Sequence, residues 1–186
     1  MKKLLIAACV STSLLGACAT SMDGPMAAPM VGGAAMYPSK DIVDNAVNSK
    51  DHTTLVAAVK AAGLVDTLKS AGPFTVFAPT NASFTALPAG TVDTLLKPEN
   101  KGMLTTVLTY HVVPGRVDAA ALAQQIRAGN GRAMLKTASG GTLLATMSGG
   151  NVLITDAKGG SATVTIADVY QSNGVIHVVN KVLLPG

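Results

Sequence analysis

Apolar positions follow two rhythms along the chain, and the change falls near Gly131. Before it they recur every three or four residues, the period of helices with one buried face. Ile42, Val43, Ala46 and Val47 share a face in DIVDNAV, with Ser39 placed to cap it. Leu55, Val56, Val59 and Ala62 share another in HTTLVAAVKAAG, opened by Asp51 and stopped by Gly63. In KPENKGMLTTVLTY, Pro98 stands early and Met103, Leu104, Val107 and Leu108 form a stripe. Asp118 opens AAALAQQIRAG, which ends at Gly129. Two β-rich runs interrupt these helices: PFTVFAPT, and TYHVVPG, which reads as a short strand closed by Pro114-Gly115. Beyond Gly131 the runs are strand-like, and Ser139-Gly140-Gly141, Ser148-Gly149-Gly150-Asn151 and Gly159-Gly160 divide them at hairpin spacing. The pattern predicts an α+β domain: helices first, then an antiparallel meander that PFTVF and YHVV join.

Tyr110 and His111 stand side by side in that second run. Neighbours on a strand point to opposite faces, so they do not form a dyad acting on one atom. Two readings stay open. They are a core pair with polar atoms tied to the backbone, or one edge of a binding surface.

The N-terminus carries a different message. Lys2 and Lys3, a short apolar run and small residues at Gly16 and Ala17 read as a secretory signal over 1–17. Leu15-Gly16-Ala17-Cys18 resembles the bacterial lipobox, which implies lipidation of Cys18. Cleavage at Ala17-Cys18-Ala19, giving a soluble secreted or periplasmic form, is the alternative. By the same resemblance, Ala19 favours the outer membrane, facing either the periplasm or the cell surface. Residues 18–38, rich in Ala, Gly, Pro and Met, read as the anchor cysteine and a flexible tether, with the domain at 39–186. Met22, Met26, Met30 and Met36 raise copper(I), but no His or Cys stands beside them, and an apolar linker is the simpler reading.

Composition narrows the chemistry. Cys9 and Cys18 are the only cysteines; one lies in the signal and the other is assigned to lipid, so disulfides, thiol catalysis and Cys-based zinc drop out. Lys2 and Lys3 supply part of the formal +4, there is no tryptophan, and no basic run is interleaved with aromatics, which argues against nucleic acid. His52, His111 and His177 show no H-x-x-x-H or H-E-x-x-H spacing, so no metal and no cofactor is expected. His177 reads as a hydrogen-bonded structural residue and His52 as a solvated first-turn residue. Neither G-x-S-x-G nor S-x-x-K occurs, and Asp41, Asp51 and Asp118 read as helix caps rather than general acids. The chain is expected not to be an enzyme. A hydrolase acting on wall or polymer is the remaining catalytic alternative.

Three ordered segments then carry a resemblance. FTVFAPTNASF (74–84), Tyr110-His111 and NGVIHVVNKVLLP (173–185) resemble the two conserved segments and the Tyr-His motif of the fasciclin (FAS1) domain. The resemblance implies a β-sandwich or wedge of mostly antiparallel strands flanked by N-terminal helices. It implies adhesion or envelope interaction with a protein or polysaccharide of matrix, neighbouring cell or envelope. A periplasmic assembly or stress factor is the alternative. It also implies binding roles for Asp168-Val169, where the family has an Asp-Ile stretch, and for Tyr110 and His111. Val169 in place of isoleucine and Ala167 before the aspartate depart from that pattern.

Overall fold

A computed structural model describes residues 28–88 and 90–186. The expected signal segment, Cys18 and the first part of the tether lie outside the described residues. The described chain opens with a hairpin, β1 (Met30–Val31) and β2 (Ala34–Ala35). It continues through α1 (Ile42–Ala46), a 3-10 turn at 50–52, α2 (Thr53–Ala62), α3 (Val65–Lys69) and β3 (Phe74–Pro79). Next come α4 (Asn81–Thr85), α5 (Thr91–Leu96), α6 (Lys101–Tyr110), β4 (Val112–Pro114) and α7 (Ala119–Ala128). Five strands complete it: β5 (Arg132–Lys136), β6 (Thr142–Ser148), β7 (Asn151–Thr155), β8 (Ser161–Gln171) and β9 (Gly174–Val179).

Seven strands form one sheet in the order β4-β3-β9-β8-β7-β6-β5. The last five strands form the expected meander, and β3 and β4 join it. The pairing of β3 with β9 is parallel; every other ladder in this sheet is antiparallel. The expected sandwich is corrected here. Rather than two stacked layers, one sheet curls until its outer strands approach, and Ala138 N–H, just beyond β5, donates to Val112 O of β4 at 2.7 Å. The long strand β8 makes the bend possible. Its register against β9 shifts between Val164 and Ile166 and again before Val169, and such bulges add bend and twist.

The curl produces two cores with β3 and β9 as their common wall. Val76, Ala78, Ile176 and Val178 face the helices, among Leu55, Val59, Leu104 and Leu108. Phe77 and Val179 face the inside of the curl, among Leu122, Ile126, Leu143 and Ile154. Strands covered on both sides need nearly continuous apolar sequence, and GVIHVV is buried throughout.

Several local expectations shift. Asp41, not Ser39, caps α1, its Oδ1 accepting from Asp44 N–H at 2.8 Å. Asp51 lies inside the 3-10 turn and His52 stands at the start of α2, while Gly63 ends that helix in the left-handed conformation as expected (φ 72°). Met103 of the α6 stripe is outside, 60% exposed. The tether is corrected more substantially. From Met30 onward it is part of the folded body: Val31 and Met36 are buried, and Lys50 N–H donates to Gly32 O. Asn45 holds the exit of the hairpin, accepting from Tyr37 N–H (3.1 Å) and donating to Tyr37 O (2.8 Å), while its amide also donates to Gln171 Oε1. An apolar linker sequence packs here because Met and Val find a ready cleft against α1 and the sheet.

That docking separates two otherwise similar methionines. Met36→Ala should destabilise the protein by about 2–4 kcal/mol, the range for emptying a buried Met site. Met30→Ala should stay within about 0.5 kcal/mol, as exposed substitutions do. Urea unfolding of both variants checks this, and equal midpoints would restore the tether reading.

Candidate functional site

Tyr110 and His111 do not lie on a strand. Tyr110 is the last residue of α6 and His111 its C-cap, with φ −84° and ψ −3°. The amphipathic stripe through Val107 and Leu108 carries the helix two residues further than the β-rich composition suggested, and β4 starts at Val112. Both side chains are buried, at 1% and 3% exposure. Tyr110 points into the curl, where its hydroxyl donates to Thr142 O (2.9 Å) and accepts from Ala157 N–H (3.0 Å). His111 Nδ1–H donates to Val107 O (2.8 Å) and Nε2 accepts from Leu183 N–H (2.9 Å). The pair rivets α6 to β6, to the β7–β8 turn and to the C-terminal segment, and neither ring is accessible.

His177 plays the same part on β9, where it pairs with Phe77 of β3. It is buried and stacked on Phe77, with centroids 5.6 Å apart. Nε2–H donates to Val117 O (2.8 Å), and Nδ1 accepts from Asp168 N–H (3.4 Å). Asp168 sits in the β8 bulge with φ 57°, a conformation that Asp tolerates better than most residues. Its Oδ1 accepts Ala119 N–H (2.7 Å) at the start of α7, beside the cap made by Asp118 on Ala121 N–H (2.8 Å). Thr75 completes the knot, donating to Gly115 O and accepting from Val117 N–H. Val169 is buried among core side chains. The structure thus joins Asp168 to His177 and the 115–119 loop, and leaves Tyr110 and His111 elsewhere.

What this knot holds rigid is an exposed rim. The Arg116 guanidinium lies 4.8 Å from the centre of the half-buried Tyr170 ring. Beside it opens a shallow cleft of about 250 Å³, walled by Ala71–Pro73, Arg116 and Ser172–Gly174. Asn173 fixes its floor, accepting from Ile42 N–H and donating to Leu68 O and Ser70 O. Partial burial raises the Tyr170 phenol above its ordinary range, and the charges of Asp168 and Asp118 add to this. Such a surface offers a cation, an aromatic face and hydrogen-bonding backbone, the groups enriched where proteins bind partners. Sequence reasoning pointed to the loops near 110–117 and 167–174 without naming Arg116 or Tyr170, and passed over Thr75. The available signal was position: Arg116 follows a Pro-Gly turn and Tyr170 follows the Asp-Val pair.

His52, expected to be solvated, is buried as well. Its Nδ1 meets Ser49 Oγ at 2.8 Å, and Nε2 has no hydrogen bond among the described residues. The reason is the turn at 50–52, which rolls the ring inward instead of leaving it on a helix start. Among the described residues, no three His, Cys, Asp or Glu side chains converge as metal ligands. No described helix is long and apolar enough to cross a membrane.

Known proteins resemble this architecture. A model of the Fasciclin domain family matches residues 50–185. A Synechocystis protein, sll1483, is 47% identical over 156 residues, covering 84% of this chain and 79% of its own. The cell surface glycolipoprotein MPB83 of Mycobacterium bovis is 29% identical over 168 residues, 88% of this chain and 67% of its own. A FAS1 domain pair from the insect cell adhesion molecule Fasciclin I superposes with a TM-score of 0.69 at 18% identity, over 79% of this chain. This chain spans about half of that pair, 51%.

The buried histidines set a pH dependence. Burial lowers the pKa of His52, His111 and His177, pushing His111 down to about 4. For His111 and His177 the geometry agrees, since each accepts a backbone N–H on one nitrogen and must be neutral to do so. A group depressed on folding stabilises fully above its unfolded pKa of about 6.5, and that contribution is lost as pH falls toward the folded value. His111 alone should therefore cost about 2 kcal/mol of stability at pH 5 and about 3 at pH 4, relative to pH 7. Urea midpoints across this range check it, and a flat profile from pH 7 to pH 5 would refute it.

Proposed function

The chain belongs to the fasciclin domain family, and we propose that it is a non-catalytic interaction module, exported and held at the cell envelope by lipid on Cys18. It binds a protein or polysaccharide of matrix, neighbouring cell or envelope through the rim of Arg116 and Tyr170. One observation carries this reading. The tyrosine and histidines of the family segments, Tyr110, His111 and His177, are buried and bonded to backbone, while an accessible cation and an aromatic face meet on one rigid edge. Tyr110, His111 and Val169 support binding from inside, by fixing the elements behind that edge. Asp168 adds an acidic group. One carboxylate oxygen caps α7 and the other has no hydrogen bond among the described residues, so it can accept from a partner's arginine.

Two comparisons support this role. The solved neighbour comes from a cell adhesion molecule, and MPB83 is a cell surface glycolipoprotein. Lipid would supply the membrane affinity, since each buried acyl CH₂ contributes about 0.8 kcal/mol and two chains or more hold a protein stably. The same anchor facing the periplasm would serve an envelope assembly factor.

Beads coated with the full-length protein should adhere to cells of the producing organism. Arg116→Glu combined with Tyr170→Ala should reduce retention about tenfold or more, the scale of a lost Arg or Tyr anchor. The unfolding midpoint should move little, because Arg116 is exposed and Tyr170 only half-buried. Unchanged adhesion would remove the rim from the mechanism. Cys18→Ser should move the protein from the membrane fraction to the soluble one; full retention would remove the lipid anchor. Protease treatment of intact cells then separates the two orientations, since only a surface-facing domain is cut before the outer membrane is opened.

A further inference from the structure

Protein interiors rarely leave voids larger than a water molecule. Here α1, α2 and α3 lie across the β3–β4 edge and leave a cavity of about 80 Å³. Its walls include Val43, Leu55, Val59, Leu68, Val76 and Val112, and they offer no polar surface. His111 also lines it, but both ring nitrogens are already bonded to backbone. Water needs two to four polar partners to occupy such a space, so this cavity suits an apolar guest. Lys60 and Thr67 are the exposed polar residues of its lining, beside half-buried Leu64 and Val65, and give a guest a way in. Among the described residues the Lys60 ammonium makes no ion pair, and the Thr67 hydroxyl makes no hydrogen bond. The cavity shares no lining residue with the cleft at Arg116.

We infer that this cavity is a binding site for an unbranched alkyl monocarboxylate, with the alkyl end in the apolar space and the carboxylate on Lys60 and Thr67. The walls select the alkyl chain because a polar guest would leave its hydrogen bonds unmade. The single cation at the mouth selects the charge and its sign. Volume sets the length: an apolar cavity of roughly 150 Å³ admits benzene, so this one takes about three or four carbons. Longer chains extend past the mouth. The site is independent of the rim proposed above, and either can fail without the other.

Methyl NMR of the full-length chain, titrated with carboxylates from acetate to octanoate, tests this. Shifts should concentrate on the methyls of Val43, Leu55, Leu68 and Val76. Affinity should rise about fourfold per methylene until the cavity is full, then level off. Val59→Phe, which fills the space, should weaken binding at least tenfold; uniform small shifts, or equal binding by this variant, would overturn the proposal. Should Val59→Phe fold poorly, Lys60→Glu decides, because it alters only the surface. It should abolish the preference for a carboxylate over the alcohol of equal length, and a retained preference would overturn the assignment of the headgroup. Phosphatidylglycerol vesicles provide the last arm. The free carboxylate is upheld if they leave these methyls unmoved, and overturned if they move them where carboxylates do not.

Discussion

Everything in this fold depends on the parallel pairing of β3 with β9, two interior strands covered on both faces. Because neither strand has a solvent face, alternate residues must serve two different cores. Val76 and Ile176 serve the helical side, and Phe77 and Val179 the inside of the curl. Any polar side chain on these strands must find its partner within the protein. Thr75 and His177 do so by reaching the 115–119 loop, and that requirement turns a loop into a fixed part of the scaffold. Gly174 belongs to the same constraint. The β3 backbone at Phe74 passes so close that a Cβ there would strike its carbonyl oxygen.

The histidines are the clearest consequence. In a hydrophilic setting Tyr-His and Ile-His-Val would be candidates for proton transfer or recognition. In this one each buried ring is a neutral connector whose tautomer is set by its partners: Nδ1–H toward Val107 O in His111, and Nε2–H toward Val117 O in His177. Their work is to define where loops stop. The accessible chemistry lies one layer out, at Arg116, Tyr170 and the Asp168 carboxylate oxygen that has no hydrogen bond among the described residues, and their positions are inherited from that inner layer.

Much of the domain was legible before any coordinates. The gly-rich turns near 140, 150 and 159 fall between β5, β6, β7 and β8, and Asp118 caps α7 through Ala121 N–H as its place before a helical run suggested. These features are local, so their causes are contained within a few residues. The misreadings share a different cause. Val31 and Met36 belong to a segment with no periodicity, and they are ordered by a cleft built from distant parts of the chain. Tyr110 and His111 have strand-like composition, but α6 runs on because its buried face continues against α2. The single curled sheet was hidden because neither the β8 bulges nor the contact of Ala138 with Val112 has a sequence period.

Residue pattern was enough for the class of the molecule: helices followed by a hairpin-rich sheet, three ordered fasciclin-like segments, and no motif spaced for a metal or a nucleophile. Those properties follow from periodicity, turn chemistry and residue type, which act over short distances. Which of the named residues face outward depended on packing between distant segments. It placed Tyr110, His111 and Val169 inside, made Asp168 half cap and half surface, and raised Arg116 and Tyr170 to the rim. Exposure is set by what packs against a residue from elsewhere in the chain, and adjacency in sequence carries no record of it.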